Sequence, residues 1–187
     1  MKSTQFRTLL ALASLATFAA IAMPQTNQPQ ARRSVGEELD VWISNVEKEI
    51  VPAADAMPES EYGFAPQIGE FKGVRTFGEQ VKHFSATNYQ LAADVFGEKP
   101  PHGEKGEIAP DSVRTKAEIM EYLRGSFAYL HRAAKSITAA NEDETLPAAR
   151  GRTRPGLIVD ALAHASNHYG QMVEYLRMNA IIPPASR

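Results

Sequence analysis

Most of the chemistry open to this sequence lies in five histidines: His83, His102, His131, His164 and His168. His164 and His168 stand four apart in a stretch with helical apolar spacing, so both rings project from one face about one turn apart. Two imidazoles placed this way can hold one metal ion, or they can be ordinary hydrogen-bonded helix residues. The chain has no cysteine, which removes disulfides, thiolate ligands and a thiol nucleophile together. Any metal must therefore be held by His, Asp or Glu. A closed structural zinc site needs four ligands and a catalytic one three plus water, so the pair requires a partner from elsewhere. Helical periodicity leaves two candidates tied. His83 lies on the shoulder of its helix's apolar stripe beside Gln80 and Thr87, and His131 lies on a similar shoulder of another helix. His102 sits in a Pro/Gly-rich loop and is expected to face solvent.

Four elements must position these rings. The first predicted helix runs from Ser34 to Met57, with Val35, Leu39, Trp42, Val46 and Ile50 at helical spacing. Ser34 and Glu37 have the spacing of a capping box at its start. Pro52 implies a kink or an early end there. The aromatics of Pro58 to Lys72 are expected to cover one end of the core. A second helix spans Thr76 to Val95, with Phe77, Val81, Phe84, Leu91 and Val95 as its stripe, and Gly97 to Asp111 follows as a surface loop. A third begins near Thr115, where Thr115 and Glu118 again suggest a capping box, and continues to about Ala140. The last, from Pro155 to Ile182, is apolar over more than one stripe and so packs on two sides; Pro183-Pro184 stops it. No alternating pattern is long enough to build a sheet. The expected fold class is all-α, a four-helix bundle.

A chain of 187 residues suggests one domain with a proper core. Residues 1–22 are expected to be a signal peptide. Lys2 and Arg7 make a basic start, Leu9 to Met23 is apolar and Ala-rich, and Ala20-Ile21-Ala22 is a small-x-small cleavage pattern. The apolar run is short for a membrane span, which takes about 20 residues. Without a following cysteine a lipid anchor is excluded. The mature protein is thus expected to be exported, periplasmic or secreted, without stable membrane insertion; an uncleaved N-terminal anchor is the alternative. Residues 23–33 read as a flexible leader, and 34–184 as the bundle. Twenty basic groups face 22 acidic ones, two of the basic ones, Lys2 and Arg7, within the expected signal peptide, and no basic patch stands out. That speaks against a nucleic-acid partner.

Pro155 to Pro184, with His164, His168, Gly170, Gln171, Tyr175, Leu176, Arg177 and Pro183-Pro184, resembles the C-terminal signature of the DinB-like (DinB/YfiT) superfamily. Tyr62, Phe64 and Pro66, then Val74 to Val81 and His83, are similar to the start of that family's second helix. The resemblance extends from about Ser34 to Pro184. It implies a four-helix bundle of the DinB/YfiT type with a non-sequential helix arrangement, possibly a homodimer. It also implies three histidines meeting at one end to hold a divalent metal, zinc or nickel. Carried over residue by residue, the ligands are His83, His164 and His168, which breaks the tie; His131 becomes a partly exposed helix histidine.

Three neutral imidazoles leave a metal its full charge and open positions, so it can acidify water or accept a substrate oxygen or thiolate. The chemistry implied is metal-dependent hydrolysis of a small molecule. Alternatively it is transfer to a small thiol such as bacillithiol or mycothiol, although export would remove the protein from the reduced thiol pool. Non-catalytic metal-binding or interaction modules are the alternatives from other classes; an open, concave centre separates the enzyme from both. No general base stands out. Glu79 and Asp160, each one turn before a ligand histidine, could meet an imidazole N–H, though solvated helix acids are the commoner case. Asn88, Tyr89, Asn167 and Gln171 could line a pocket, whereas Tyr169 and Tyr175 read as packing and Arg177 as complementing the helix dipole.

Overall fold

The computed structural model describes residues 32–70 and 73–187. The signal peptide and nearly all of the leader expected from the sequence lie outside the described residues. Among those described, the architecture is four long helices: α1 (Val35–Ala56), α2 (Phe77–Phe96), α3 (Lys116–Lys135) and α4 (Arg154–Met178). A minimal antiparallel pair, β1 (Thr145–Leu146) and β2 (Arg152–Thr153), tightens the loop before α4. No described helix is long and apolar enough to cross a membrane.

Each helix begins where side-chain chemistry can satisfy its free N–H groups. Ser34, Thr76 and Thr115 cap α1, α2 and α3, and in each case the third residue, Glu37, Glu79 or Glu118, reaches back to the cap backbone. Every such box satisfies two orphan donors that would otherwise need water. Thr153 caps α4 by accepting from the Gly156 N–H, with Pro155 in the first turn.

α1 has its expected span, and the other ends differ from expectation in two places. Pro52 neither ends α1 nor shortens it, because Pro52 and Lys48, the residue whose carbonyl loses its partner, are both solvent-exposed. α3 stops at Lys135 rather than near Ala140; the Asn141 side chain donates to the Ser136 carbonyl and accepts from the Thr138 N–H, drawing the chain into a turn. α4 stops at Met178, four residues short of Ile182. Ala180 takes a positive φ of 57°, and the Ile181 N–H returns to the Leu176 carbonyl while the Ala180 N–H returns to Arg177. This is a Schellman ending with alanine in the usual glycine place, so the helix ends before its two prolines can act.

The helices are not packed in sequence order. α1 lies against α3 and α4, and α2 lies against the same two, so α1 stands diagonally across from α2. Phe77, Phe84, Phe127, Leu123, Leu130, Leu157, Ile158 and Met172 fill the interior. The aromatic segment before α2 closes one end as expected. Tyr62 donates to the Ala54 carbonyl and meets the Phe77 ring edge-on, and Phe64 meets Tyr175 in the same way.

The most enclosed helix is α2, not α4. Gln80, His83, Ser85, Thr87 and Asn88 are all buried along with its apolar residues. Ser85 and Thr87 donate to carbonyls one turn back, Val81 and His83, and Asn88 donates to Ser126 Oγ. Bonds of this kind let short polar side chains sit in an interior without a stranded donor.

Candidate metal centre

α2 and α4 are neighbours, and His83 faces His164 and His168 across their seam. The three side chains offer ring nitrogens that all lie within 4.8 Å of one another. His164 Nε2 is 3.2 Å from His83 Nε2 and 3.2 Å from His168 Nε2. Two nitrogens each at about 2.0–2.1 Å from a tetrahedral ion stand roughly 3.3 Å apart, so the donor spacing fits one zinc-sized ion. The rings are steeply inclined, with interplanar angles of 68°, 76° and 83°, and they meet at their Nε2 corners.

Two neighbours orient the rings. Gln80 Oε1 lies 2.8 Å from His168 Nδ1. An amide oxygen only accepts, so the ring proton sits on Nδ1 and the Nε2 lone pair is turned to the centre. A Glu107 carboxylate oxygen stands 3.5 Å from His83 Nδ1 and favours the same tautomer. His164 Nδ1 is buried without a partner, so nothing among the described residues holds that ring to one tautomer.

The protonation of the cluster suits a ligand set. Burial is the main cause that lowers the basicity of all three rings, taking His168 to about 4. Arg75 and the neighbouring histidines lower His83 and His168 further. Glu107 opposes the shift at His83, and Glu107 with Asp160 opposes it at His164. The rings are therefore neutral near pH 7, the form that binds metal.

Neither acid one turn before a ligand histidine turns to the cluster, as the commoner case for helix acids has it. Glu79 does not reach an imidazole; its carboxylate accepts from the Thr76 N–H in the α2 capping box. Asp160 forms an ion pair with Arg152 and leaves His164 Nδ1 unpartnered. The orienting groups are Gln80 and Glu107, neither of which the sequence singled out for that work. Gln80 is buried three residues before His83, on the shoulder the sequence does mark. Glu107 comes from the loop read as a surface connection, Gly97 to Asp111. That loop is anchored, since the buried Glu104 carboxylate accepts from Tyr122 Oη and from the His102 N–H. Burial and the Glu104 charge push the Tyr122 phenol upward, so it remains a donor.

The remaining named residues fall outside the cluster. His102 is exposed and packs edge-on against Tyr89. His131 lies on the α1–α3 seam, with Nδ1 2.6 Å from Asp40 and Nε2 3.2 Å from Glu47. Asn88 faces Ser126, Asn167 and Gln171 pair with each other in solvent, and Tyr175 donates to the Arg75 carbonyl. Arg177 pairs with Glu174.

Solvent reaches the cluster from two sides of Glu107. A cleft of about 560 Å³ is walled by Arg75, Lys82, His83 and Glu107. A second, of about 440 Å³, is walled by Glu107, Arg150, Asp160 and His164. The three-histidine cluster thus sits in the seam between the second and fourth helices of a four-helix bundle, beside two clefts. The chain matches the sequence profile of the DinB superfamily over residues 43–172, most of its length, and it belongs to that superfamily. No curated protein matches it.

Proposed function

We propose that His83, His164 and His168 hold one divalent ion, zinc or nickel, and that the centre serves metal-dependent hydrolysis of a small molecule. The observation that carries this reading is the convergence of three neutral imidazoles beside two clefts that open to water. A bound ion would supply Lewis acidity, lowering the pKa of water and polarising a substrate oxygen. The chain's own part is to hold the rings in place. Gln80 and Glu107 orient His168 and His83, burial keeps all three neutral, and the clefts leave one side of the cluster accessible. A closed structural site would lack that access.

Metal content of protein purified without a His tag tests the reading, with His164→Ala/His168→Ala beside it. About one zinc or nickel per parent chain and little in the variant is the expected result. A parent that stays empty after incubation with added metal would overturn it. The loaded protein is then assayed on ester, amide and phosphoester panels, with and without a low-molecular-weight thiol. Turnover only when thiol is present would move the assignment to thiol transfer, and metal without turnover would leave a binding module.

We further infer export, on the basic start and the apolar Leu9 to Met23 run; N-terminal sequencing of the mature protein from its source checks it. A second copy of the chain is the proposed partner. The groove between α1 and α4, lined by Leu39, Val46, Val159 and Leu162, leaves Trp42 59% exposed, an apolar surface of the kind that association covers. Light scattering on Trp42→Glu against the parent tests it.

A further inference from the structure

Arg75 is the residue before the N-cap of α2, and its backbone is pinned from two directions. Its carbonyl accepts from Tyr175 Oη at 3.0 Å, and Thr76 beside it carries the α2 capping box. Its side chain is not committed. Among the described residues the Arg75 guanidinium makes no ion pair, nor does the Lys82 ammonium on the same cleft wall.

Three acids share this cleft, and none of them pairs directly with either cation. Glu79 is engaged with the Thr76 N–H, Glu107 faces His83, and Asp111 pairs with neither cation. Arg75 and Lys82 share that wall with His83. Two uncommitted cations thus flank a neutral cluster at the wall of a metabolite-sized cleft. A guanidinium is a planar fork of donors that matches a carboxylate or phosphate edge, and such charge-assisted pairs are the strong ones. A volume of about 560 Å³ is that of a small-molecule site.

We propose that Arg75, with Lys82 beside it, binds an anionic group of the substrate, a carboxylate or phosphate, and so presents a small acid to the three histidines. This rests on the reading of those histidines as a metal centre. The role is one of positioning and specificity: Arg75 holds the charged end while the reacting end reaches His83, the ring on the same cleft wall.

The test is calorimetric titration of inorganic phosphate, and separately of succinate, into zinc-loaded and metal-free protein at fixed ionic strength. The variants are Arg75→Gln, Arg75→Lys and, as an exposed control on α3, Arg124→Gln. The expected result is roughly tenfold weaker binding of at least one anion by Arg75→Gln in both metal states, with Arg75→Lys between it and the parent. Arg124→Gln should bind as the parent does. Equal affinity in Arg75→Gln and parent overturns the proposal, as does an equal loss in Arg124→Gln, which would mark a diffuse charge effect. Phosphate binding that needs zinc and ignores Arg75 also overturns it while leaving the metal centre standing. A chain that takes up no zinc yet keeps Arg75-dependent anion binding sinks the metal reading and leaves the anion site.

Discussion

Two seams of this bundle each bury part of a histidine, and they put the ring to opposite uses. On the α1–α3 seam, His131 has a carboxylate at each nitrogen, Asp40 at 2.6 Å and Glu47 at 3.2 Å, with Lys135 also on Asp40. Neither nitrogen is free for a shared ion, and the ring ties two helices together. On the α2–α4 seam, His83 meets other imidazoles instead, with Gln80 and Glu107 on the outward nitrogens. There the inward lone pairs have a common point to serve. From sequence the two residues are equivalent shoulder positions on similar helices. The facing helix decides: α1 presents acids to His131, and α4 presents a second and third histidine to His83.

The sharpest way to break this contrast is to exchange the losses. His83→Ala is expected to abolish stoichiometric zinc or nickel binding, and His131→Ala to leave it intact, as read by elemental analysis. Equal metal loss in both would mean that the two seams are not functionally distinct. The next effect concerns the orienting groups. Gln80→Leu and Glu107→Gln should each weaken metal affinity by about 10–100-fold, measured by chelator competition. Glu79→Gln should leave affinity alone and cost only cap stability.

The pH response sharpens the comparison further. In the metal-free protein His168 is held to about 4 by burial and its histidine neighbours, against an ordinary value near 6.5. The unfolded chain therefore binds the extra proton first as pH falls. Stability from this site is complete above about pH 6.5, declines as pH falls from there to about 4, and is flat below. The loss is on the order of 3 kcal/mol, to be read from urea midpoints of the parent against His168→Ala, in which that part of the slope should vanish.

The smallest expected effect lies on the other seam. A Cβ on Gly36 would stand 2.5 Å from the Ala134 carbonyl oxygen and 2.7 Å from that of Ile137, where α1 crosses the end of α3. Gly36→Ala should cost about 1–3 kcal/mol of stability with metal content per folded chain unchanged, by denaturant titration and elemental analysis. A loss of metal there would show that the two seams are coupled.

What the sequence carried by itself was local chemistry. Ser34 with Glu37, and Thr115 with Glu118, mark helix starts because a cap and its third residue interact within one turn. Thr76 with Glu79 has the same spacing and the same geometry, and that local bond prevailed over any reach of Glu79 to a histidine. The His164–His168 pair was legible for the same reason, since four residues make one turn of helix. Family resemblance, not periodicity, chose His83 over His131. The tertiary structure alone decided the rest. It set α2 between α3 and α4, turned Gln80 inward onto His168, and folded the loop so that Glu107 reached His83. It also left Arg75 and Lys82 uncommitted at the cleft wall. None of these contacts lies within one turn of chain; they exist only because packing brings distant segments together, and a one-dimensional pattern carries no record of which face meets which.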